Sequence, residues 1–316
     1  MTEEREMLRE TVAALVAKHA GPAAVRAAIE SESGYDESLW QLLCEQVGAA
    51  ALVVPEELGG AGGELADAAT VLQELGRALV PSPLLGTILA ELALLAAAEP
   101  DAATLEALAE GASIGALVLH PDYVVNGDVA DVVVASTDGQ LSRWTQFTAE
   151  PITAMDPTRR LARIQPQQTA DLATDPGLAD IAAILLAAEQ IGAAERCLEL
   201  TVEYTKSRVQ FGRPIGSFQA LKHRMADLYV AVAAARAVVN DACDEPTPVN
   251  AATARLAATE ALNTVAAEGI QLHGGIAITW EHDMHLYFKR AHGSAQLLDP
   301  PRDLLRRLES EVLQQS

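Results

Sequence analysis

From Glu3 to about Glu110 the apolar residues recur at helical spacing, interrupted at Gly21-Pro22, at Gly34, across Pro55 to Gly63 and at Pro81-Ser82-Pro83. This pattern predicts a block of helices separated by turns. From Ser113 the apolar runs shorten and become rich in β-branched residues: Ile114 to Leu119, Tyr123 to Val125, Val129 to Ala135 and Leu141 to Trp144. They read as strands, with tight turns at Asn126-Gly127-Asp128 and Asp138-Gly139. Proline and threonine accumulate between Pro151 and Pro176, after which helical spacing resumes and runs almost unbroken to Leu313. The longest helices are expected at Leu178 to Ser207, Phe218 to Asp241 and Asn250 to Gly269, with a shorter one from Asp303. Long helices with short connections pack as antiparallel bundles. The expectation is a mainly α fold with a small β unit: a helical domain over 1–112, a shortened β domain over 113–170 and a helical bundle over 171–316.

Composition agrees with this reading and narrows the partners. Half of the 316 residues are hydrophobic but only 4% are aromatic, and alanine, the best helix former, occurs in runs such as Ala233 to Ala235. A formal net charge of -22 repels nucleic-acid backbones and anionic headgroups, so neither nucleic acid nor membrane is an expected partner. The charged start, Met1-Thr2-Glu3-Glu4-Arg5-Glu6, is unlike a signal peptide, and the apolar stretch Leu84 to Ala98 is short and broken by Glu91. Cys44, Cys197 and Cys243 lie far apart without metal or redox spacing and read as reduced thiols, which fits a cytoplasmic protein.

The stretch richest in chemistry is Arg208-Val209-Gln210-Phe211-Gly212-Arg213-Pro214-Ile215-Gly216-Ser217-Phe218-Gln219, between two long helices and followed by Lys222-His223-Arg224-Met225-Ala226-Asp227. A planar cationic fork, an amide, an aromatic ring and glycines in one loop can hold a phosphorylated aromatic ligand. The same residues also suit a plain helix connection with a turn at Gly212-Arg213-Pro214 and solvated basic side chains.

This stretch resembles the signature of the acyl-CoA dehydrogenase family, R-x-x-F-G-x-P-I-x-x-F-Q followed by K-x-x-x-A-D. Downstream, Gln271-Leu272-His273-Gly274-Gly275 is similar to the family's Q-x-x-G-G element, and Thr279-Trp280-Glu281-His282-Asp283 continues it. Upstream, Leu52 to Gly62 and Leu75-Gly76-Arg77-Ala78 resemble the family's N-terminal helical domain. The resemblance implies FAD lying across a subunit interface, with one protomer holding the flavin ring and its neighbour the adenosine and pyrophosphate. It implies that Arg208 pairs with the pyrophosphate, with Gln210 in the same loop, and that Phe211 packs near the adenosine half. It further implies that Gln271, Gly274 and Gly275 form the second contact, where glycines let backbone amides approach a dinucleotide. Gly274-Gly275 also suits a plain helix stop.

The family's base is a glutamate that removes the substrate's α-proton. Counting from Gly274-Gly275, its usual position falls at Leu298, with Asp299 one residue away before Pro300-Pro301. The alternative position, counted back from Phe211, falls at Ala182-Ala183, with Asp180 the only carboxylate close by. The threonine-glutamate-proline loop of the β domain is replaced by Leu119-His120-Pro121-Asp122, and Trp144 does not align with the flavin-side tryptophan. The expected protein is therefore the shortened subunit of an α2β2 acyl-CoA dehydrogenase of the actinobacterial kind, acting in lipid or steroid catabolism, whose full-length partner supplies base and acyl pocket. Two alternatives stand beside it: a self-sufficient homo-oligomer using Asp299, and a structural helical partner without flavin contact. His282 and His285 beside Glu281 and Asp283 are read as a solvated helix face with no metal, and Gly59 to Gly63 as a loop without the lysine of a P-loop.

Overall fold

The computed structural model describes residues 2–314. The first block is six helices: α1 (Glu3–His19), α2 (Pro22–Glu30), α3 (Glu37–Leu42), α4 (Leu65–Arg77), α5 (Leu84–Leu95) and α6 (Ala102–Ala109). Their starts follow local chemistry, with the side chains of Thr2, Asp36 and Asp101 accepting first-turn N–H groups and Pro22 opening α2. The second block holds α7 (Leu178–Ser207), α8 (Gln219–Asp244), α9 (Pro248–His273), α10 (Met284–Gln296) and α11 (Pro301–Gln314). Alanine and glycine let α7 approach its neighbours closely: a Cβ on Gly192 would lie 1.9 Å from the Gln73 carbonyl of α4, and one on Gly76 2.2 Å from the Glu189 carbonyl of α7. Among the described residues no single helix is long and apolar enough to cross a membrane.

Between the blocks lies one sheet of β1 (Gly115–Val118), β2 (Val124–Val125), β3 (Val132–Thr137), β4 (Gln140–Ile152) and β5 (Leu161–Thr174), ordered β1-β3-β4-β5-β2. Strands β1 and β3 run parallel and the other pairs antiparallel. Here the structure corrects the sequence reading. The strand expected to end at Trp144 continues to Ile152, and most of the proline- and threonine-rich stretch is its partner β5. Residues 165–171 of β5 are exposed on both faces, so no period-two pattern marks them, and register shifts along β4 scramble what alternation remains. Pro166 is tolerated because β2 covers only Leu161 and Ala162, leaving that part of β5 an edge. In the second block, α10 and the small hairpin preceding α8 also escape the periodic reading.

A charged cluster ties the parts together. The Arg290 side chain of α10, 3% exposed, donates to Asp156 (2.8 Å) and Thr158 in the β4–β5 connection and to Glu189 of α7. Arg159 reaches the same Glu189 at 2.7 Å. Two cations and two carboxylates balance, which is what makes their burial tolerable. Burial still pushes the Arg290 guanidinium down to about 10.

Glu91 has no such compensation. It is 0% exposed within the apolar α5, and neither carboxyl oxygen has a partner among the described residues. Burial raises its carboxyl well above the ordinary carboxylate range, so the folded chain holds it protonated. Below the ordinary glutamate range both folded and unfolded chains carry the proton. As pH rises above it, the unfolded chain alone releases the proton, and stability falls by up to about 1.4 kcal/mol per pH unit until the buried group ionises. Glu91→Met, similar in volume and unable to titrate, should therefore raise the melting temperature at neutral pH, with the gap closing toward about pH 4.5. A thermal-unfolding series on both proteins across pH checks this, and a pH-independent gap would contradict it.

Candidate functional site

The last turn of α7 delivers the chain into a hairpin of β6 (Val209–Gln210) and β7 (Arg213–Pro214). Its turn is Phe211-Gly212, with φ of 52° and 76°, and not the expected Gly212-Arg213-Pro214. Two consecutive left-handed residues are what a tight hairpin of type I′ requires, and Asn or Gly fills such places at less cost than Phe. Phe211 is nonetheless 92% exposed, its ring edge-on to Phe218 at a centroid distance of 6.2 Å. An apolar ring held in water on a strained turn points to a ligand or partner. The hairpin is firmly seated. The Arg208 N–H donates to Tyr204 O (2.9 Å), the Ile215 N–H to Arg208 O (2.8 Å), and Gly216 fits against the Thr205 carbonyl where a Cβ would stand 3.0 Å away.

The arginines of this hairpin are electrostatically unusual. Among the described residues, every arginine has a carboxylate within 4.0 Å except Arg208, Arg213 and the buried Arg255. In a chain of net charge -22, two exposed guanidinium groups without an acid are left for something outside the chain. Arg213 lies over the Phe218 ring at 3.9 Å, and Arg208 and Gln210 are exposed. Lys206, Lys222 and His223 flank them, likewise exposed.

The second element starts where α9 ends. Gly274 closes it with φ 65° and ψ -146°, a conformation open essentially to glycine alone. Gly275 has neither a positive φ nor any atom within 4 Å of a Cβ built on it, so nothing inside the chain requires glycine there. Gln271, one turn earlier, is exposed. The two elements meet through a stack: Tyr204, one turn before Arg208, lies 4.3 Å from the His273 ring with an interplanar angle of 24°. Sequence reasoning missed Tyr204 and His273, since a tyrosine in a long helix carries no motif of its own.

The base positions look different. Leu298 lines a cavity of about 40 Å³ with Leu85 and Leu89 of α5, Leu117, Tyr123 and Gln296. That volume holds a few waters, against about 300 Å³ or more for an ordinary ligand pocket. Asp299 is turned onto Arg307 at 3.3 Å, with His120 Nε2 at 3.8 Å, and does not line the cavity. Arg307 also pairs with Asp180, so one guanidinium of α11 neutralises both carboxylates considered near the base positions. Ala182 and Ala183 are core residues, and Trp144 packs in the sheet beside Val133 and Ile164. The Leu298 backbone is fixed from below by the buried Arg255, which donates to Gln190 (2.6 Å) and to the carbonyls of Ser294 and Leu297 at the end of α10. Burial lowers Arg255 to about 9.

The histidines after the second element are not the solvated face expected of them. His285 is buried and His282 half-buried, because the chain folds them back under Trp280 and against His273. No group of three or more His, Cys, Asp or Glu able to hold a metal occurs among the described residues.

Residues 2–112 match the acyl-CoA dehydrogenase N-terminal domain and residues 177–297 the acyl-CoA dehydrogenase C-terminal domain. The chain is also 82% identical over 98% of both lengths to acyl-CoA dehydrogenase IpdE2 of Mycobacterium tuberculosis. It belongs to the acyl-CoA dehydrogenase family. A second relative, acyl-CoA dehydrogenase IpdE2 of Mycolicibacterium smegmatis, is 68% identical over 99% of this chain and 100% of its own. Among solved structures, a subunit of the ChsE4-ChsE5 complex of Mycobacterium tuberculosis superposes with a TM-score of 0.87 at 26% identity, covering 99% of this chain and 98% of its own. A chain of the Tcur3481-Tcur3483 steroid ACAD does so with a TM-score of 0.89 at 27% identity, over 99% and 98%. The whole chain, short sheet included, thus has the acyl-CoA dehydrogenase fold.

The two glycines separate backbone need from ligand need. Gly274→Ala should destabilise the chain by about 1–3 kcal/mol through its forced φ, whereas Gly275→Ala should leave the melting temperature unchanged. Thermal unfolding of both variants checks this, and an equal loss in the two would show that Gly275 also serves the fold.

Proposed function

We propose that this chain is the non-catalytic subunit of a hetero-oligomeric acyl-CoA dehydrogenase, holding the adenosine-pyrophosphate end of an FAD whose flavin ring lies in a full-length partner subunit. The observation that carries the reading is the pair Arg208 and Arg213, exposed and without an acid on a hairpin seated against α7. Their planar donors suit phosphate oxygens, and the exposed Phe211 ring suits an adenosine face. Gln271, Gly274 and the otherwise unexplained Gly275 fit the same ligand through amides reachable without side-chain obstruction.

The ring half does not fit this chain equally well. Leu298 at the glutamate position, a cavity of about 40 Å³ there and Asp299 held by Arg307 support a reading in which base and acyl pocket lie elsewhere. When bound, FAD takes the β-hydrogen of the acyl-CoA as hydride. In this reading the partner supplies the carboxylate that removes the α-proton, and this chain fixes the cofactor's other end. An α2β2 assembly and a steroid-derived acyl-CoA are the composition and substrate we propose, supported by the heteromeric and steroid-linked names of two structural neighbours above 25% identity.

Charge-assisted contacts of this kind are worth about 1.5–3 kcal/mol. Arg208→Ala should therefore weaken FAD retention by the co-purified complex about ten- to a hundredfold, with only partial rescue by Arg208→Lys. Saturating FAD should restore much of the turnover, because the base lies elsewhere. The isolated wild-type chain should be nearly colourless and inactive. Unchanged FAD affinity in Arg208→Ala would favour a structural partner without flavin contact, and a yellow, active isolated chain a self-sufficient enzyme.

A further inference from the structure

The turn that carries Gly274 and Gly275 rests on imidazoles. His273, 4% exposed, stacks on Tyr204 at 4.3 Å and meets the tilted His282 ring at 4.5 Å. Its Nδ1 lies 2.7 Å from the Gly269 carbonyl, which only accepts, so Nδ1 carries the proton and Nε2 a lone pair. That Nε2 is buried with no partner among the described residues. In His282 the arrangement is reversed, since Nδ1 accepts the Met284 N–H at 3.1 Å and so has no proton of its own. This bond satisfies a first-turn donor of α10. His282 is thus neutral by its bonding, and the unpartnered Nε2 of the buried His273 favours a neutral ring there. A proton on His273 Nε2 would bury an N–H without an acceptor and set a charge against the His282 ring. A proton on His282 Nδ1 would break the bond that starts α10.

We propose that His273 and His282 are positioning residues that hold the Gly274-Gly275 turn in place while both are neutral, so that acidification loosens the turn and its grip on the cofactor's phosphate end. The second half of this proposal rests on the cofactor reading above; the first does not. The surroundings oppose a positive charge. From α2, Arg26 faces the site, and its ion pair with Asp283 at 2.5 Å already occupies the nearest carboxylate. From α10 come the buried His285, whose Nε2 is also unpartnered, and Lys289, 5.2 Å from the Trp280 ring. From α7 comes Tyr204, while Glu281 of the intervening turn is exposed. Burial is the first cause lowering all three imidazoles, with Asp283 partly countering it at His282 and His285. A histidine held below its ordinary value lets the open chain take up protons first. The turn's stability is therefore intact above about pH 6.5 and lost progressively as pH falls from there toward the lowered folded-state values.

Hydrogen exchange of residues 274–284 in the full chain tests this, corrected for intrinsic rates and compared at about pH 7.5 and about pH 5.5. Wild type should open about tenfold more often at the lower pH. The double variant His273→Phe with His282→Asn keeps a ring in the stack and an acceptor for the Met284 N–H, and should lose most of that response, keeping only what His285 contributes. The same acid response in the double variant, or none in wild type, overturns the proposal. Should the variant not fold, NMR titration of the wild-type imidazoles decides: two rings staying neutral well below the ordinary histidine range support it, and ordinary midpoints refute it. FAD release from the complex at the same two pH values separates the two halves. Acid opening without faster release leaves the stack standing and removes its link to the cofactor.

Discussion

Two cations and two carboxylates, buried where the β4–β5 connection, α7 and α10 converge, are the constraint on which the arrangement depends. A lone Arg290 or Glu189 at these burials would cost several kcal/mol, and the cluster is tolerable because Asp156, Glu189, Arg159 and Arg290 balance and Thr158 takes further donors of Arg290. The cost runs in both directions. Moving the sheet away from the bundle would take Asp156 and Thr158 from Arg290, and moving α10 away from α7 would leave Glu189 with Arg159 alone. An apolar contact can slide, but a charged cluster of fixed geometry cannot. The junction thus fixes α10, and through it both the base position at the helix's C-terminal end and the imidazole stack at its start.

Surface charge is allocated by the same logic in reverse. Nearly every arginine among the described residues is matched with an acid of the chain, through α1 to α4, α4 to α7, and α7 to α11. Arg208 and Arg213 are the exposed exceptions, and they lie beside an aromatic ring that the fold holds in water. A chain that merely tolerated stray cations would scatter them. Concentrating them on a hairpin braced by Tyr204, Thr205 and Gly216 keeps their direction fixed before any ligand arrives, which lowers the ordering cost of binding.

The helices were legible because each long one buries a stripe or is buried all round, and the ends marked by Thr2, Pro22, Asp36 and Asp101 follow from capping chemistry. The β4–β5 hairpin was not, since strands solvated on both faces need no alternation. Arg208, Phe211 and the paired glycines were visible through resemblance to a family motif. Residue type alone left the loop undecided between a phosphate grip and a plain turn. The unpaired state of Arg208 and Arg213 could not be read at all, because it depends on where every carboxylate ends up in space. The same holds for Tyr204, Arg255 and Arg290, whose neighbours are distant in sequence.

Asp299 shows why a one-residue offset matters more than the presence of a carboxylate. Leu298 adopts a φ of 67°, so the backbone reverses there and sends consecutive side chains in different directions. Leu298 enters the cavity and Asp299 meets Arg307. Arg255 fixes this outcome by holding the carbonyls of Ser294 and Leu297, immediately before the reversal. To serve as a base, Asp299 would have to leave its cation and rotate into an apolar space too small for an acyl chain, losing Coulomb energy and solvation together. The two ends of α10 are thus held by different groups: Arg255 takes the carbonyls before Leu298, and His282 Nδ1 accepts the Met284 N–H at the start.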